Sequence, residues 1–358
     1  MTNRNHFDFE TEALLKWWRG LDEHRGRRAR LSRCHTLDEV KDTLAFQGYA
    51  RPRLLGAGLR GNDEQLAAVA GLLAHIREHA TEHRAFAAQM AMPGSAGGRP
   101  PVSEVRFRRL LRKPSRAKLY RPLRRVLHIL GTPPRANIFE VAQDVYYWGD
   151  GVRRRWAEDY HAVLLEGEQP IREVSGRKAT WQAWWQDLDE RRGERAALRR
   201  CHTLHEVMLT SGYHRLLHYL RKTGTYDESD KWQHAAVAGL LAHVEENDER
   251  HRFAAQMALS DQAADALAEA DGREEHNKVR GRIQSGKLGS APLSGLRFRR
   301  LLQINDRPTL FRKLIRTLHL LGGKAKVTDV ADAAFYWGDD RRRCWSLDYY
   351  THAPFDEP

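Results

Sequence analysis

The sequence predicts an all-α protein that consists of two similar, compact helical-bundle domains in tandem, and three observations support this fold class. Apolar residues recur at spacings of three and four, as in Leu14, Trp17, Trp18 and Leu21, which is the period of an amphipathic helix. Alternating β-branched runs are scarce. Long blocks of residues also occur twice at a separation far beyond the roughly 20 to 50 residues of a solenoid repeat, which indicates a duplicated domain.

The duplication extends along almost the whole chain. Residues 17–40, with a tryptophan pair and a Cys-His-Thr-Leu block, match residues 184–207 at an offset of 167. The Arg-Phe-Arg-Arg-Leu-Leu block at 106–111 returns at 297–302, where the offset is 191, so the second copy holds 24 additional residues. We therefore predict the same helices in the same order in both copies.

Composition and turn residues predict the domain limits. We assign residues 1–161 to the first domain, 162–179 to a connection that contains Gly, Pro and Ser without apolar periodicity, and 180–358 to the second domain. The insertion near 259–292 contains a weakly helical part and a Gly- and Ser-containing part, and we expect a mobile surface excursion. Thr36 and Thr203 precede acidic first turns and are predicted N-caps.

The charge of the chain favours a polyanionic partner. Its 60 Lys and Arg against 47 Asp and Glu give a formal net charge of +13, which is typical of proteins that bind nucleic acid, although the same composition can serve solubility alone. The charge is uneven: residues 1–165 hold 29 basic and 18 acidic residues, and the remainder holds 31 and 29. The positions of the arginines in the predicted helices therefore have to distinguish nucleic-acid binding from a role in solubility alone.

The sequence also indicates a cytoplasmic location. Its apolar runs are only a few residues long, far from the roughly 20 that cross a bilayer, and its polar start lacks a signal-peptide core. Three cysteines cannot build a disulfide framework. Since Cys34 and Cys201 hold equivalent positions, we expect them to be buried, reduced thiols.

Candidate catalytic and metal sites are weak. The glycines of 56–61 have the spacing of a dinucleotide-binding loop, but no hydrophobic strand precedes them and the second copy lacks the pattern. His75, His79 and His83 lie four apart, which on one helical face could ligate a metal. The second copy has Asn247 in the central position, so a solvated or packing role is the better interpretation. We expect no enzyme activity, no cofactor and no metal.

The tryptophan pairs offer a further alternative. Trp17 and Trp18, like Trp184 and Trp185, could stack on bases, but adjacent aromatic residues on a helix usually place one ring in the core and one near its edge. We expect core packing.

Arginines form a repeated pattern on two successive predicted helices. If Phe107 and its apolar neighbours are buried, the arginines between them face outward, and the next helix presents a second basic side. Guanidinium groups bind phosphate oxygens without reading bases, so these sides predict a phosphate track; an ordinary solvated face is the alternative. The candidate nucleic-acid-binding residues of the two copies are Arg33, Arg108, Arg109, Arg112, Arg121, Arg125, Arg200, Arg299, Arg300, Arg312 and Arg316.

The ordered set of blocks resembles a known family. The tryptophan pair, the Arg-Gly-x-x-Ala-x-Leu-x-Arg run, the Ala-Val-Ala-Gly-Leu-Leu-Ala-His block, the Arg-Phe-Arg-Arg-Leu-Leu block and the Tyr-Trp-Gly-Asp block resemble the CasB family, the small subunit of the type I-E CRISPR surveillance complex Cascade. The resemblance covers residues 13–160 and 181–350. This chain departs from the family pattern by joining two copies, by its insertion, and by a Cys344 where the first copy has Arg155.

The resemblance implies a helical subunit without catalytic activity. Two copies of such a subunit lie head to tail along the inner side of the backbone filament that binds the crRNA, near the large subunit, and help to hold the target DNA and the displaced strand of the R-loop. By position, it marks Arg33, Arg108 and Arg125 and their equivalents as the best contacts. The alternatives are a free-standing nucleic-acid-binding regulator and a pure protein scaffold, which salt dependence would separate from a phosphate binder.

Overall fold

The structure is a computed structural model that describes residues 8–81, 85–93, 98–166, 168 and 174–353. The chain divides into two compact units, Met1–Gly167 and Glu168–Pro358. Both units are helical, and the strands of the described residues are four segments of two residues each. The prediction of an all-α protein with two helical domains in tandem is confirmed.

The first unit contains ten α-helices, a π-helical turn and a short parallel strand pair in its described part. The helices are α1 Thr11–Glu23, α2 Arg25–Arg33, α3 Leu37–Lys41, α4 Arg51–Gly56, α5 Asp63–Leu73, α6 Phe86–Ala91, α7 Glu104–Leu111, α8 Arg116–Ile129, α9 Ile138–Tyr146 and α10 Asp150–Leu164. The π-helical turn Phe46–Ala50 precedes α4, and strand β1 Glu78–His79 pairs with β2 Arg135–Ala136.

The second unit repeats this order and adds two helices. Its helices are α11 Arg177–Glu190, α12 Arg192–Arg199, α13 Leu204–Val207, α14 Ser211–Lys222, α15 Lys231–Leu241, α16 Phe253–Ala258, α17 Asp261–Glu269, α18 Gly272–Gln284, α19 Gly295–Leu302, α20 Arg307–Leu320, α21 Val327–Phe335 and α22 Asp339–Tyr350. Strand β3 Glu246–Asn247 pairs in parallel with β4 Lys324–Ala325.

A small residue at the centre of each unit lets two helices approach closely. Helix α5 is buried along most of its length, and a Cβ on Gly71 would lie 2.9 Å from the Tyr120 ring of α8. In the second unit, a Cβ on Gly239 of α15 would lie 2.6 Å from the Phe311 ring of α20. Since any larger side chain would force these helices apart, the repeated glycine fixes the position of the helix that carries part of the arginine pattern.

Matching contacts hold α7 and α19 in place. The ring of Phe107 in α7 stacks on Tyr160 with centroids 3.9 Å apart, and Phe298 in α19 stacks on Tyr349, also at 3.9 Å. Both tyrosines donate their hydroxyl hydrogen to a backbone carbonyl at 2.6 Å. The apolar side of each Arg-Phe-Arg-Arg helix is therefore packed in the same way in the two copies.

The tryptophan pairs are core residues, as the sequence predicts. All four tryptophans are buried, with at most 7 % of any residue exposed, which confirms the predicted core packing. Trp18 Nε1 donates to the carbonyl of Leu73 at 3.2 Å, and Trp185 Nε1 donates to that of Val244 at 2.9 Å. A satisfied indole N–H allows the second ring to be buried at little cost.

The predicted N-caps of α3 and α13 are confirmed. The Thr36 side chain accepts from the backbone N–H of Glu39 at 3.2 Å, and Thr203 accepts from Glu206 at 3.2 Å. Glu39 in turn accepts from the backbone N–H of His35 at 2.6 Å. These bonds fix the loop between α2 and α3, which directly follows Arg33.

The insertion contains two helices, and the first of them, α17, lies in the part that was predicted to be weakly helical. Helices α17 and α18 bury a small apolar cluster of their own, which includes Ala263, Leu267, Val279 and Ile283. The residues of each pair are spaced by four and form one narrow apolar stripe per helix among many polar residues, which explains why the helical signal in the sequence is weak. The insertion closes where Leu293 N donates to Met257 O at 3.0 Å.

Between the two units, helical structure reaches into the segment 162–179 that we predicted as the connection. Helix α10 continues to Leu164 and α11 begins at Arg177. Residues 167 and 169–173 lie outside the described residues.

Candidate nucleic-acid interface

Helix α7 presents two of its three predicted arginines to solvent. Phe107, Leu110 and Leu111 are buried, and this places Arg109 and the C-cap residue Arg112 on the exposed side. Arg108 differs from the prediction, because its side chain is only 27 % exposed and lies 3.7 Å from the carboxylate of Glu104, one turn earlier. Arg108 is therefore less available to an external anion than its two neighbours.

Helix α8 presents the predicted basic side. Leu119, Leu123 and Val126 are buried against α5, whereas Arg121 and Arg125 are exposed. Neither side chain has a carboxylate partner among the described residues. The exposed group Arg109, Arg112, Arg121 and Arg125 is called the first basic face below.

The second unit presents the equivalent residues except at the position of Arg112, where it has Gln303. Arg299 and Arg300 of α19 and Arg312 and Arg316 of α20 are all exposed, and they form the second basic face. The second copy has Gly295 where the first has Glu104, so Arg299 lacks the ion pair that holds Arg108. Arg312 only donates within its own helix, to Thr309 at 3.4 Å. All four guanidinium groups face solvent.

The structure brings Arg33 close to α8 through a residue that the sequence did not identify. Arg33 ends α2 and is exposed. Arg124 Nη2 donates to the carbonyl of Ser32 at 3.4 Å, and its Nη1 lies 3.1 Å from His35 Nδ1. Arg124 therefore ties the end of α2, where Arg33 lies, to α8, which carries part of the first basic face.

A buried histidine completes this link. Arg124 Nε donates to His75 Nε2 at 2.9 Å, and the His75 ring lies edge-on to that of His128, with centroids 5.4 Å apart. Burial lowers the pKa of His75 to about 3, and the charge of Arg124 adds to this effect. A neutral imidazole can accept the arginine hydrogen bond, so the charge at this place belongs to the guanidinium.

In the second copy the neighbouring cation comes from a different helix. Position 315 is an isoleucine, and Arg199 of α12 instead donates to the carbonyl of Ala242 at 2.7 Å and pairs with Glu245 at 3.0 Å. His243 and His319 keep the ring contact at 5.1 Å, and burial lowers the pKa of His243 to about 4. Arg200 is exposed, but its loop lacks the guanidinium bridge of the first copy.

One repeated arginine belongs to the core. Arg28 is 1 % exposed and donates to the carbonyls of Ile76 at 2.6 Å and Trp18 at 3.0 Å. It also pairs with Asp22 at 3.2 Å. Arg195 makes the equivalent bonds in the second unit. These arginines fix the end of the first helix of each unit, and they are not free to bind an external phosphate.

The prediction that His75, His79 and His83 lie on one helical face is wrong. Helix α5 ends at Leu73, before His75, and His79 lies in β1; His83 lies outside the described residues. His79 Nδ1 accepts from the backbone N–H of Ile138 at 3.3 Å, and Asn247 Oδ1 accepts from the equivalent Val327 at 3.0 Å. Histidine and asparagine thus perform the same capping function, which explains the exchange between copies.

The remaining features of the chain are its candidate metal ligands, its cysteines and the apolar character of its helices. No group of three or more His, Cys, Asp or Glu side chains suited to a metal ion occurs among the described residues. Cys34 and Cys201 are buried free thiols, as predicted, and burial raises the pKa of Cys34. No helix in the described part of the chain combines the length and the apolar character that a membrane span requires.

Fold and surface together define a class of protein: a tandemly duplicated, all-α protein with exposed arginines at matching positions of both copies. The sequence model of the family described as CRISPR-associated protein Cse2 matches residues 27–161 and 194–350. The chain therefore belongs to the Cse2 family of Cascade small subunits, with two family domains fused in one polypeptide. No curated protein and no solved structure matches the chain.

Proposed function

We propose that this chain is the non-catalytic small subunit of a type I-E CRISPR surveillance complex. In this proposal it lines the inner side of the backbone filament that binds the crRNA, contacts the large subunit, and stabilises the R-loop through sequence-independent contacts to the target strand and the displaced strand. Recruitment and cleavage belong to other subunits.

One observation carries the proposal. The candidate arginines other than Arg108 are exposed, and all of them except Arg112 and Arg299 have an exposed arginine as their counterpart in the other copy. None of them has a carboxylate partner among the described residues. Guanidinium groups that are already paired within the protein would have to break those pairs to bind DNA. Exposed and unpaired ones can form bidentate, charge-assisted hydrogen bonds to phosphate oxygens directly.

The chemistry of the faces suits a complex in which base pairing supplies the sequence information. Arginines that contact phosphates position a strand without reading it, and their binding releases counterions. In an R-loop, the guide pairs with the target strand and the displaced strand requires a positively charged surface. Because both basic faces belong to one polypeptide, each copy of the chain supplies two such surfaces.

The experiment that tests this proposal compares complexes assembled with and without the chain on the same target duplex. Nuclease protection of the displaced strand is the measurement. We expect protection over the target in the full complex and loss of protection without the chain, regardless of target sequence. Equal protection in both complexes would contradict the proposal and would favour a protein scaffold.

A further inference from the structure

The first unit has an open groove apart from the basic faces. It encloses about 540 Å³ between α2 and the segment that leads into α4, and its lining includes His24, Arg27, Arg30, Leu44, Gly48 and Tyr49. None of the described residues that line it is acidic. The groove therefore combines a positive rim with uncompensated charge and an apolar wall.

The side chains of the groove are held in position. The guanidinium of Arg27 lies 4.0 Å from the centroid of the Tyr49 ring, and that of Arg53 lies 3.9 Å from it. Tyr49 is 9 % exposed, so its ring supports the arginines and is not a platform for an incoming base. Leu44, in contrast, is 73 % exposed, which leaves an apolar contact without a partner beside the cations.

In the second copy, the site equivalent to this groove is filled by side chains of the protein itself. The two copies are in register here, because Thr43 Oγ1 donates to Val40 O at 2.8 Å and Thr210 Oγ1 donates to Val207 O at 2.7 Å. Five residues further on, the first copy has Gly48 and the second has Arg215. A second exchange involves the groove residue Arg27, whose equivalent in the second copy is Glu194.

In the second copy these exchanged residues form an internal cluster. Arg215 is buried and binds both carboxylate oxygens of Glu194, at 2.9 and 3.1 Å. Glu168, which precedes α11, supplies a further carboxylate to the same guanidinium. Paired charges of this kind can remain buried. The equivalent place is thus occupied by carboxylates that the chain itself provides.

In the first copy the groove is open because the side chains that fill it in the second copy are absent. A Cβ added at Gly48 would meet only Leu44, at 3.5 Å or more, so the backbone does not require glycine there. None of the ion pairs among the described residues involves Arg27 or Arg30, so both guanidinium groups can bind an external anion.

We propose that this groove binds an acidic polypeptide segment of another protein chain, with a carboxylate on Arg27 and Arg30 and an apolar side chain on Leu44. Two observations favour a polypeptide over a nucleic-acid strand. Carboxylates occupy the equivalent place in the second copy, and the exposed leucine offers an apolar contact that a phosphodiester backbone cannot use. The proposal is independent of phosphate binding by the two basic faces.

The test uses the full chain and two labelled probes, a peptide of alternating Glu and Leu residues and a single-stranded oligothymidylate. The double variant Arg27→Glu/Gly48→Arg gives the groove the equivalents of Glu194 and Arg215, which form an ion pair in the second copy. It should weaken peptide binding about ten-fold, as expected for loss of charge-assisted contacts, and leave oligonucleotide binding nearly unchanged. The variant Arg280→Gln, in exposed α18 and with the same change in net charge, is the matched control and should affect neither probe.

A second variant and a second measurement protect the test against misfolding. Arg27→Ala/Arg30→Ala removes the cations without adding bulk and should weaken peptide binding similarly. A photocrosslinking side chain at position 48 should attach to a polypeptide in the assembled complex. Unchanged peptide affinity in both variants, an equal loss for both probes, or crosslinking to nucleic acid or to nothing would overturn the proposal.

Discussion

Arg124 Nε donates a hydrogen bond to Nε2 of the buried His75 at 2.9 Å, and the same guanidinium reaches the carbonyl of Ser32. One side chain therefore connects the end of α2, the segment after α5 and the middle of α8. Helix α8 carries part of the first basic face, and Arg33 lies at the end of α2. The second copy has Ile315 at this position and does not make the connection.

The variant Arg124→Ile tests this link, because it gives the first copy the residue of the second. It leaves the buried acceptor of His75 unpaired, which should cost about 1 to 3 kcal/mol. Hydrogen exchange should accelerate in residues 32–36. Arg106→Ile, an exposed arginine on α7, carries the same charge change and should leave that exchange unaltered; equal exchange in both variants would refute the link.

Arg28 and Arg33 should behave in opposite ways when each is changed to alanine. Arg28→Ala removes a buried guanidinium from two backbone carbonyls and should destabilise the first unit by about 3 kcal/mol. Arg33→Ala changes an exposed side chain and should alter stability by less than about 0.5 kcal/mol, while weakening DNA retention. Denaturant unfolding and strand retention measure the two effects; a stability loss of similar size in both variants would show that Arg33 is structural as well.

The buried histidines predict acid sensitivity. His75 binds a proton in the unfolded chain below its ordinary pKa of 6.5, but the folded state resists protonation down to about 3. The unfolded state thus binds more protons in this window, and stability falls as pH is lowered from about 6.5 towards 3. At pH 5 this single residue accounts for at most about 2 kcal/mol.

The variant His75→Gln keeps an acceptor for Arg124 and removes the titration. The difference between its unfolding midpoints at pH 7 and pH 5 should be smaller than that of the unchanged protein. His128→Gln, at an exposed neighbour, is the control. An identical pH dependence in His75→Gln and in the unchanged protein would show that His75 does not titrate as its burial indicates.

The insertion should be removable. It is closed by the bond from Leu293 N to Met257 O at 3.0 Å, and the first copy has the equivalent bond from Val102 N to Met90 O at 3.1 Å. Its apolar cluster is separate from the main core. Replacing residues 258–292 with residues 91–101 should therefore preserve the second unit, with a melting midpoint lower by only a few degrees, roughly the effect of 1 kcal/mol. Loss of cooperative unfolding would show that the insertion supports the core.

Much of the fold could be predicted from the sequence, since the apolar spacing of three and four marks the helices and the duplication marks the two domains. The exposed orientation of Arg121 and Arg125 also followed from the buried side of α8. These predictions succeed because burial of a regular helix depends on local periodicity, which a sequence displays directly.

The tertiary roles of individual polar residues could not be predicted in this way. Arg28 and Arg124 resemble their exposed neighbours in sequence, and only the carbonyls and the histidine that distant segments bring to them make them structural. No Gly or Pro separates Leu73, where α5 ends, from His79, so the periodicity of the sequence extended this helix too far. The groove at Gly48 became evident only from the ion pair that fills its counterpart.

The two basic faces should contribute unequally. Residues 1–165 hold 29 basic and 18 acidic residues, whereas the remainder holds 31 and 29, so acidic neighbours weaken the field of the second copy. The variant Arg109→Ala/Arg121→Ala/Arg125→Ala should therefore reduce strand retention more than the equivalent Arg300→Ala/Arg312→Ala/Arg316→Ala. The reverse order would indicate that the local surroundings of these arginines outweigh the overall field.

The salt dependence of R-loop retention by these two triple variants tests the central claim most directly. If the faces bind phosphates, each variant should weaken retention for every target sequence, and each lost contact should make the slope of log affinity against log salt concentration shallower by about 0.7 to 0.9. If both variants assemble into the complex and leave retention and its salt slope unchanged, the arginines are solvated or contact protein, and the proposed function of these faces is wrong.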